Sequence, residues 1–216
     1  MAQSKTKPKT KSVGGRKAKS GIRNKLFDFK REQILEVSAR LFYHRGFRAT
    51  TLDVIAEELG VTKPFIYYHF ENKRSILLHL LERTMEKSHN VFAGVDVENG
   101  APEDILKDLV KRFTLVVIET RVSTAMFWRD EKDLPLDRKE KIRDMKRDVD
   151  NKLTRVIERG IEDGSFDVKD PKMASLCVAG MVTWIYTWYQ ADGRSTPDEI
   201  AERMTEYVLN MVGIRK

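Results

Sequence analysis

The chain has 216 residues, a formal net charge of +7 and a single cysteine, Cys177. This length is enough for one or two domains with a sizeable hydrophobic core. A single cysteine excludes a disulfide framework and a cluster of cysteines around a metal. The reducing cytoplasm is therefore the expected compartment, and no metal site is predicted.

The positive charge is concentrated at the start of the chain. Residues 1–25 hold nine lysines and arginines and no acidic residue, which leaves 31 basic and 33 acidic residues in the rest. Lysine, serine, threonine and glycine are frequent in this segment, and it has almost no large apolar side chain to bury. We therefore predict that residues 1–25 form a disordered basic arm.

Apolar residues at helical spacing predict a first helix over residues 29–45, ended by Gly46. A second helix is predicted to begin a few residues later. Thr50, followed three residues on by Asp53, resembles a capping box, and Thr51 is the alternative N-cap.

A third helix follows after a very short turn. Gly60 ends the second helix, and Thr62 can cap the third. Pro64 is tolerated in a first helical turn because the N–H group that proline lacks would have no partner there. Two short helices joined so closely predict a helix-turn-helix.

The third helix carries an unusual set of exposed side chains. Val61, Ile66 and Phe70 are expected to face inward. The side chains then left at or near the surface are Lys63, Phe65, Tyr67, Tyr68 and His69. Exposed rings in this number indicate a partner, and duplex DNA fits, since lysines suit phosphates and rings contact bases in the major groove. The alternative is a helical hairpin whose rings pack under another domain.

The stretch TTLDVIAEELGVTKPFIYYHFENKRSIL resembles the DNA-binding segment of TetR-type transcriptional regulators, and the resemblance extends over residues 29–78. It implies that Thr51 and Lys73 bind phosphates and that residues 63–65 face base edges. At Lys63-Pro64 many members carry a small residue and glycine, so the base preference is not carried over. The full set of predicted DNA contacts is Arg48, Thr51, Thr62, Lys63, Pro64, Phe65, Tyr67, Tyr68, His69 and Lys73. Beside such a module the basic arm is expected to follow the DNA backbone or to enter the adjacent minor groove, the alternative being a solvated tail.

Turn-forming residues over 94–102 separate the first four helices from a larger helical unit. The fourth helix, which begins near Asn72, is predicted to connect the DNA-binding module to this unit. Further helices are predicted over residues 103–119, 122–130, 137–163, 170–189 and 197–211. No stretch alternates as a strand would.

The chain is thus predicted to be all-α, with about nine helices in two domains. Residues 26–75 form the helix-turn-helix DNA-binding domain, and residues 76–216 form a ligand-binding and dimerisation domain. The most apolar stretch, residues 173–190, approaches membrane-spanning length. Its hydroxyl-bearing and small residues favour a buried helix, and no membrane association is predicted.

The last two helices are apolar on at least one side, which is more apolar surface than one small bundle readily buries. This surplus favours self-association. The TetR resemblance implies the same, because these regulators form a four-helix bundle between subunits from their final two helices. A homodimer would present two recognition helices to a palindromic operator. The alternative is that both helices belong to the core of the monomer.

Several large side chains of the second domain are predicted to line an apolar ligand cavity. They are Phe127, Trp128, Arg129, Met145, Met181, Trp184 and Trp188. A filled core is the alternative. The stretch from Trp184 to the last helix resembles regulators of fatty-acid, aromatic-acid and sterol breakdown, which implies an acyl-CoA thioester or a related acid as effector.

An enzyme is not predicted, because the sequence contains no glycine-rich phosphate loop, no GxSxG and no HExxH. The predicted function is a dimeric repressor, in which a small-molecule effector moves the fourth helix and so changes the spacing of the two recognition helices. A DNA-binding regulator without a small-molecule effector, controlled by a protein partner, is the alternative.

Overall fold

The computed structural model describes the backbone of residues 14–213 and the side chains from residue 24 onward, except that of residue 133. This part of the chain contains ten α-helices, one 3₁₀ turn and no strand. The helices are α1 (Gly14–Arg45), α2 (Leu52–Leu59), α3 (Lys63–His69), α4 (Lys73–Phe92), α5 (Pro102–Glu119), α6 (Arg121–Asp130), α7 (Leu136–Glu162), α8 (Pro171–Thr183), α9 (Ile185–Trp188) and α10 (Pro197–Met211). The 3₁₀ turn, Glu131–Asp133, follows α6. Because only Trp184 separates α8 from α9, the pair corresponds to the single helix predicted there, and the predicted all-α class is confirmed.

Helix α1 begins much earlier than the sequence pattern predicted. It starts at Gly14, so residues 14–25 of the predicted arm are helical, and their assignment as disordered was wrong. Proline is absent between residues 14 and 45, and lysine, arginine and alanine favour helix. Extending a helix that is already anchored by packing also avoids the cost of nucleation. Residues 1–13 of the arm lie outside the described residues.

Local capping defines the helix-turn-helix. The Thr51 hydroxyl accepts a hydrogen bond from the Val54 N–H, and Gly60 ends α2 in the left-handed conformation with φ +64°. Thr51 is therefore the N-cap. The capping box predicted at Thr50 was wrong, because the buried Thr50 hydroxyl instead donates to the Gly46 carbonyl at 2.9 Å.

The hydrophobic core of the DNA-binding module does not stop at residue 75. Its fully buried side chains include Ile34 and Phe42 of α1 and Ile66 of α3. The same cluster contains Met126 and Phe127 of α6 and continues to α7. The module therefore shares its core with α6 and α7 of the larger domain.

A second core holds the larger domain together. Helix α5 lies at its centre, with Leu106 and Leu109 fully buried against residues of α7, α8 and α10, among them Val156, Val178 and Val208. Helix α10 packs along α5. No helix within residues 14–213 is long and apolar enough to cross a lipid bilayer.

Candidate DNA-binding surface and effector cavity

Helix α3 presents one side to solvent and buries the other. Ile66 and Phe70 are buried in the module core, as expected from the sequence. Tyr67 and Tyr68 are 51% and 72% exposed. Phe65 is half-buried, whereas Thr62, Lys63 and Pro64 are exposed. The exposed side of α3 is thus a contiguous strip of one cation, one proline ring and two phenols.

Lys63 is held in place by an ion pair across the turn. Its ammonium lies 2.8 Å from a carboxylate oxygen of Asp53 in α2, and both side chains are exposed. The hydrogen bond to Asp53, together with the negative charge of that carboxylate, raises the pKa of Lys63 above its ordinary value. The amine therefore stays charged, and a phosphate or base edge would compete with Asp53 for it.

Lys73 anchors the turn between α1 and α2. Its ammonium donates to the carbonyls of Phe47 at 2.7 Å and Thr50 at 2.8 Å, and it lies 4.4 Å from the centre of the Phe47 ring. A phosphate contact would require Lys73 to exchange at least one of these partners. Arg48 and Thr51, in and next to the same turn, are exposed.

His69 is buried, and its predicted place on the surface was wrong. Its ring lies between those of Phe27, Phe65 and Tyr68, at centroid distances of 4.4, 5.0 and 5.1 Å. Burial, and then the positive charge of Arg31, lower the pKa of His69. Arg31 also donates to the His69 carbonyl at 2.9 Å. His69 therefore joins α3 to α1 and is not available to DNA.

A cavity of about 280 Å³ lies in the larger domain between α4, α5, α6, α7 and α8. Its wall is mostly apolar and aromatic, with a few hydroxyl and charged groups. The lining residues are Thr84, Met85, Ser88, His89, Phe113, Val117, Thr124, Phe127, Trp128, Met145, Lys146, Val149, Asp150, Leu176, Ala179, Gly180 and Thr183. Three of the predicted ligand contacts, Phe127, Trp128 and Met145, lie on this wall.

The other four predicted ligand contacts lie outside the lining. Arg129 turns away to pair with Asp130 at 2.8 Å, and Met181 packs against the core of the larger domain. Trp184 and Trp188 are 62% and 49% exposed on the outer surface. Helical periodicity had placed both indoles on an apolar face of residues 170–189, but this face does not show which of its side chains a neighbouring helix covers.

The cavity contains polar groups that the sequence interpretation missed. Thr84, Ser88 and His89 come from α4, and the first two are buried. The signal for them was present, because Thr84 and Ser88 are four residues apart and lie at helical spacing from the apolar residues Leu77, Leu80 and Leu81. Helix α4 therefore takes part in the cavity wall and also carries α3 at its start.

Lys146 of α7 connects the cavity to the end of α6. Its ammonium lies 2.6 Å from a carboxylate oxygen of Glu131, in the 3₁₀ turn after α6. It also lies 4.6 Å from the ring centre of Trp128 and 5.0 Å from that of Phe127. Cation–π contacts of this kind fix both rings at the cavity wall.

The outer surface of the last helices is unusually apolar. Exposed large side chains are found on α8, on α10 and at the α8–α9 junction. They are Met173, Leu176, Trp184, Trp188, Tyr207 and Met211. Large apolar side chains exposed in this number on neighbouring helices are typical of an interface.

Family models match most of the chain. The model described as "Bacterial regulatory proteins, tetR family" matches residues 34–80, and "Tetracyclin repressor-like, C-terminal domain" matches residues 99–212. The chain is 25% identical over 185 residues to the transcriptional repressor KstR2 of Rhodococcus jostii, covering 84% of this chain and 90% of that protein.

Solved structures show the same fold. A tetR-family regulatory protein from Rhodococcus RHA1 superposes with a TM-score of 0.75 at 25% identity, covering 86% of this chain and 98% of that one. AibR in complex with isovaleryl coenzyme A and operator DNA superposes with a TM-score of 0.66 at 23% identity, covering 84% and 97%.

Proposed function

Because the chain belongs to the tetR family of bacterial DNA-binding transcriptional regulators, we propose that it is a homodimeric repressor whose binding to a palindromic operator is controlled by a small apolar effector. The observation that carries this proposal is the position of Phe127. It is a wall residue of the cavity and also a member of the hydrophobic core of the DNA-binding module. We also propose that the protein acts in the cytoplasm, where its DNA target lies.

The exposed side of α3 is the proposed base-reading surface. Lys63, Tyr67 and Tyr68 offer one charged donor and two phenols to a major groove, and Pro64 offers a flat apolar contact for a thymine methyl. Free N–H groups at the start of α2 and the exposed Arg48 suit phosphates, which set the position of α3 on the duplex.

The apolar outer surface of α8 and α10 is the proposed dimer contact. Burying it against a second copy would remove the exposed Trp184 and Tyr207 rings from water. A two-fold axis through this contact would place two α3 helices on successive half-sites of an operator.

The effector is proposed to occupy the cavity and to act through α4 and α6. Both helices line it, α4 begins immediately after α3, and α6 contributes Met126 and Phe127 to the module core. An effector can shift the regulator only if it binds the released conformation more tightly than the DNA-bound one.

The size of the cavity favours an acyl group over a whole coenzyme. A volume of about 280 Å³ lies at the lower end of ligand pockets. It can enclose a short acyl chain, while a nucleotide would remain outside. The structure of AibR with isovaleryl coenzyme A and operator DNA supports an acyl-CoA thioester as the proposed effector.

The proposal is tested by fluorescence anisotropy on labelled DNA from upstream of the protein's own gene. Acyl-CoA thioesters and the corresponding free acids are added in turn, with Tyr67→Ala protein and unrelated DNA as controls. Release by one compound class supports effector control. Tight, sequence-specific binding that no compound disturbs would contradict it and favour control by a protein partner.

A further inference from the structure

Apart from His89, the charged side chains of the cavity wall are Lys146 and Asp150. Each is paired with an opposite charge, Lys146 with Glu131 at 2.6 Å and Asp150 with Lys172 at 3.8 Å. A third pair, Lys152 with Asp148 at 3.1 Å, lies next to His89. These six groups carry no net charge.

His89 is joined to one of these ion pairs. Its Nε2 lies 2.9 Å from a carboxylate oxygen of Asp148, which also accepts from Lys152. Burial acts to raise the pKa of Asp148, but the hydrogen bonds from Lys152 and His89 outweigh it and lower that pKa below its ordinary value. Asp148 is therefore ionised and already matched.

A free carboxylate entering this cavity would find no unpaired lysine. Placing an anion without a cation of its own against a mostly apolar wall costs free energy, and it would also be repelled by Glu131 and Asp150. A neutral acyl oxygen carries no such penalty. The charge balance therefore separates two compounds that share the same alkyl chain.

The cavity still offers hydrogen-bond donors for one neutral oxygen. The Lys146 ammonium has three N–H groups, and Glu131 takes only one of them. Ser88 is buried on the opposite helix, and its hydroxyl has no hydrogen-bond partner among the described residues. Both line the cavity.

We propose that this cavity admits its effector as a neutral acyl group, an ester or thioester, and rejects the corresponding free carboxylate, with Lys146 as the donor to the acyl oxygen. The inference rests on the proposed function and deepens it. Specificity comes from Glu131, which already neutralises Lys146 and so removes the attraction that an anionic ligand would need.

The first test is isothermal titration calorimetry of the full-length protein with S-octanoyl-N-acetylcysteamine and with octanoate. This thioester probe lacks the coenzyme A nucleotide, so any difference reports on the acyl group. Both titrations are made in one buffer at about pH 8, where octanoate is fully ionised. We expect the thioester to bind at least about tenfold more tightly, the effect of one unpaired polar group. Equal or tighter binding of octanoate would overturn the inference.

The second test asks whether the charge of Glu131 is what excludes octanoate. Glu131→Gln leaves the Lys146 charge unmatched, so octanoate affinity should rise about tenfold while thioester affinity changes less than about threefold. General damage to the fold would weaken both ligands and could not strengthen one. Glu140→Gln, the same change at an exposed position of α7 outside the lining, is the matched control and should alter neither.

The third test concerns the donor itself. Lys146→Met should weaken thioester binding about tenfold, and Lys146→Arg should retain most of it. Unchanged binding in Lys146→Met would remove Lys146 from the proposal. If neither compound bound the wild-type protein, the inference and the effector part of the proposed function would both fail. If octanoate bound more tightly, only the inference would fail, because an effector would still occupy the cavity.

Discussion

The exposed side of α3 and the cavity differ in how they relate to the fold. Lys63, Tyr67 and Tyr68 are exposed and make few contacts, which include the ion pair of Lys63 with Asp53 and the ring contact of Tyr68 with His69. Phe127 at the cavity wall is 1% exposed and packs in the core. A surface that binds a partner can therefore change with little loss of stability. Core residues in the cavity wall cannot be substituted without affecting both the stability of the fold and the contact between the cavity and the DNA-binding module.

The largest expected effect comes from breaking the shared core. Phe127→Ala should lower the free energy of unfolding by about 3–5 kcal/mol, because a fully buried aromatic ring is lost and a hole remains. Urea unfolding at fixed protein concentration measures this. Trp128→Ala, at a half-exposed neighbour on the same cavity wall, should cost clearly less. Equal losses would contradict the distinction between core and surface positions.

The second-largest expected effect is a loss of operator affinity without a loss of stability. Lys63→Ala and Tyr67→Ala should each weaken specific operator binding by 1–3 kcal/mol, or about 5- to 150-fold, since each removes a base or phosphate contact. The melting temperature should hardly move, as is usual for exposed positions. Leu136→Ala, at an exposed residue of α7, is the control. Retained specific binding in both variants would show that α3 does not read the operator.

Lys73 is predicted to bind a phosphate, and it also stabilises the turn between α1 and α2. Lys73→Met should lower the free energy of unfolding by about 1–3 kcal/mol, because the Phe47 and Thr50 carbonyls lose a charged donor. If Lys73 only bound phosphate, Lys73→Met would leave the free energy of unfolding unchanged. The slope of log affinity against log salt concentration would then fall by about one. Chemical unfolding and a salt titration of operator affinity together distinguish these roles.

The smallest effect is a pH dependence from His69. Burial holds its pKa below the ordinary value, so the folded state favours the neutral ring. Above about pH 6.5 the ring is neutral in both states and its contribution to stability is complete. As the pH falls below that value, the unfolded chain takes up the proton first and the free energy of unfolding decreases.

His69→Gln should flatten this part of the pH profile, measured by urea unfolding between about pH 5 and pH 8. His44→Gln, at an exposed histidine near the end of α1, is the matched control. An unchanged pH profile in His69→Gln would mean that folding does not lower the pKa of this ring.

The DNA-binding module could be read from the sequence because its signals are local. Thr51 as N-cap, Gly60 in the left-handed conformation and Pro64 in the first turn of α3 each act within a few residues. Such contacts depend little on the rest of the fold. The helix boundaries from α5 to α7 were predicted to within two residues for the same reason.

Only the tertiary structure decided which way side chains face when the partner lies far along the chain. His69 is buried because Phe27, in a part of α1 that was not predicted, covers it. Trp184 and Trp188 are exposed because no helix of the described part of the chain covers them, while Lys146 meets Glu131 across fifteen residues. Helical periodicity defines an apolar face, but which neighbour covers that face depends on packing between distant segments, and periodicity contains no information about it.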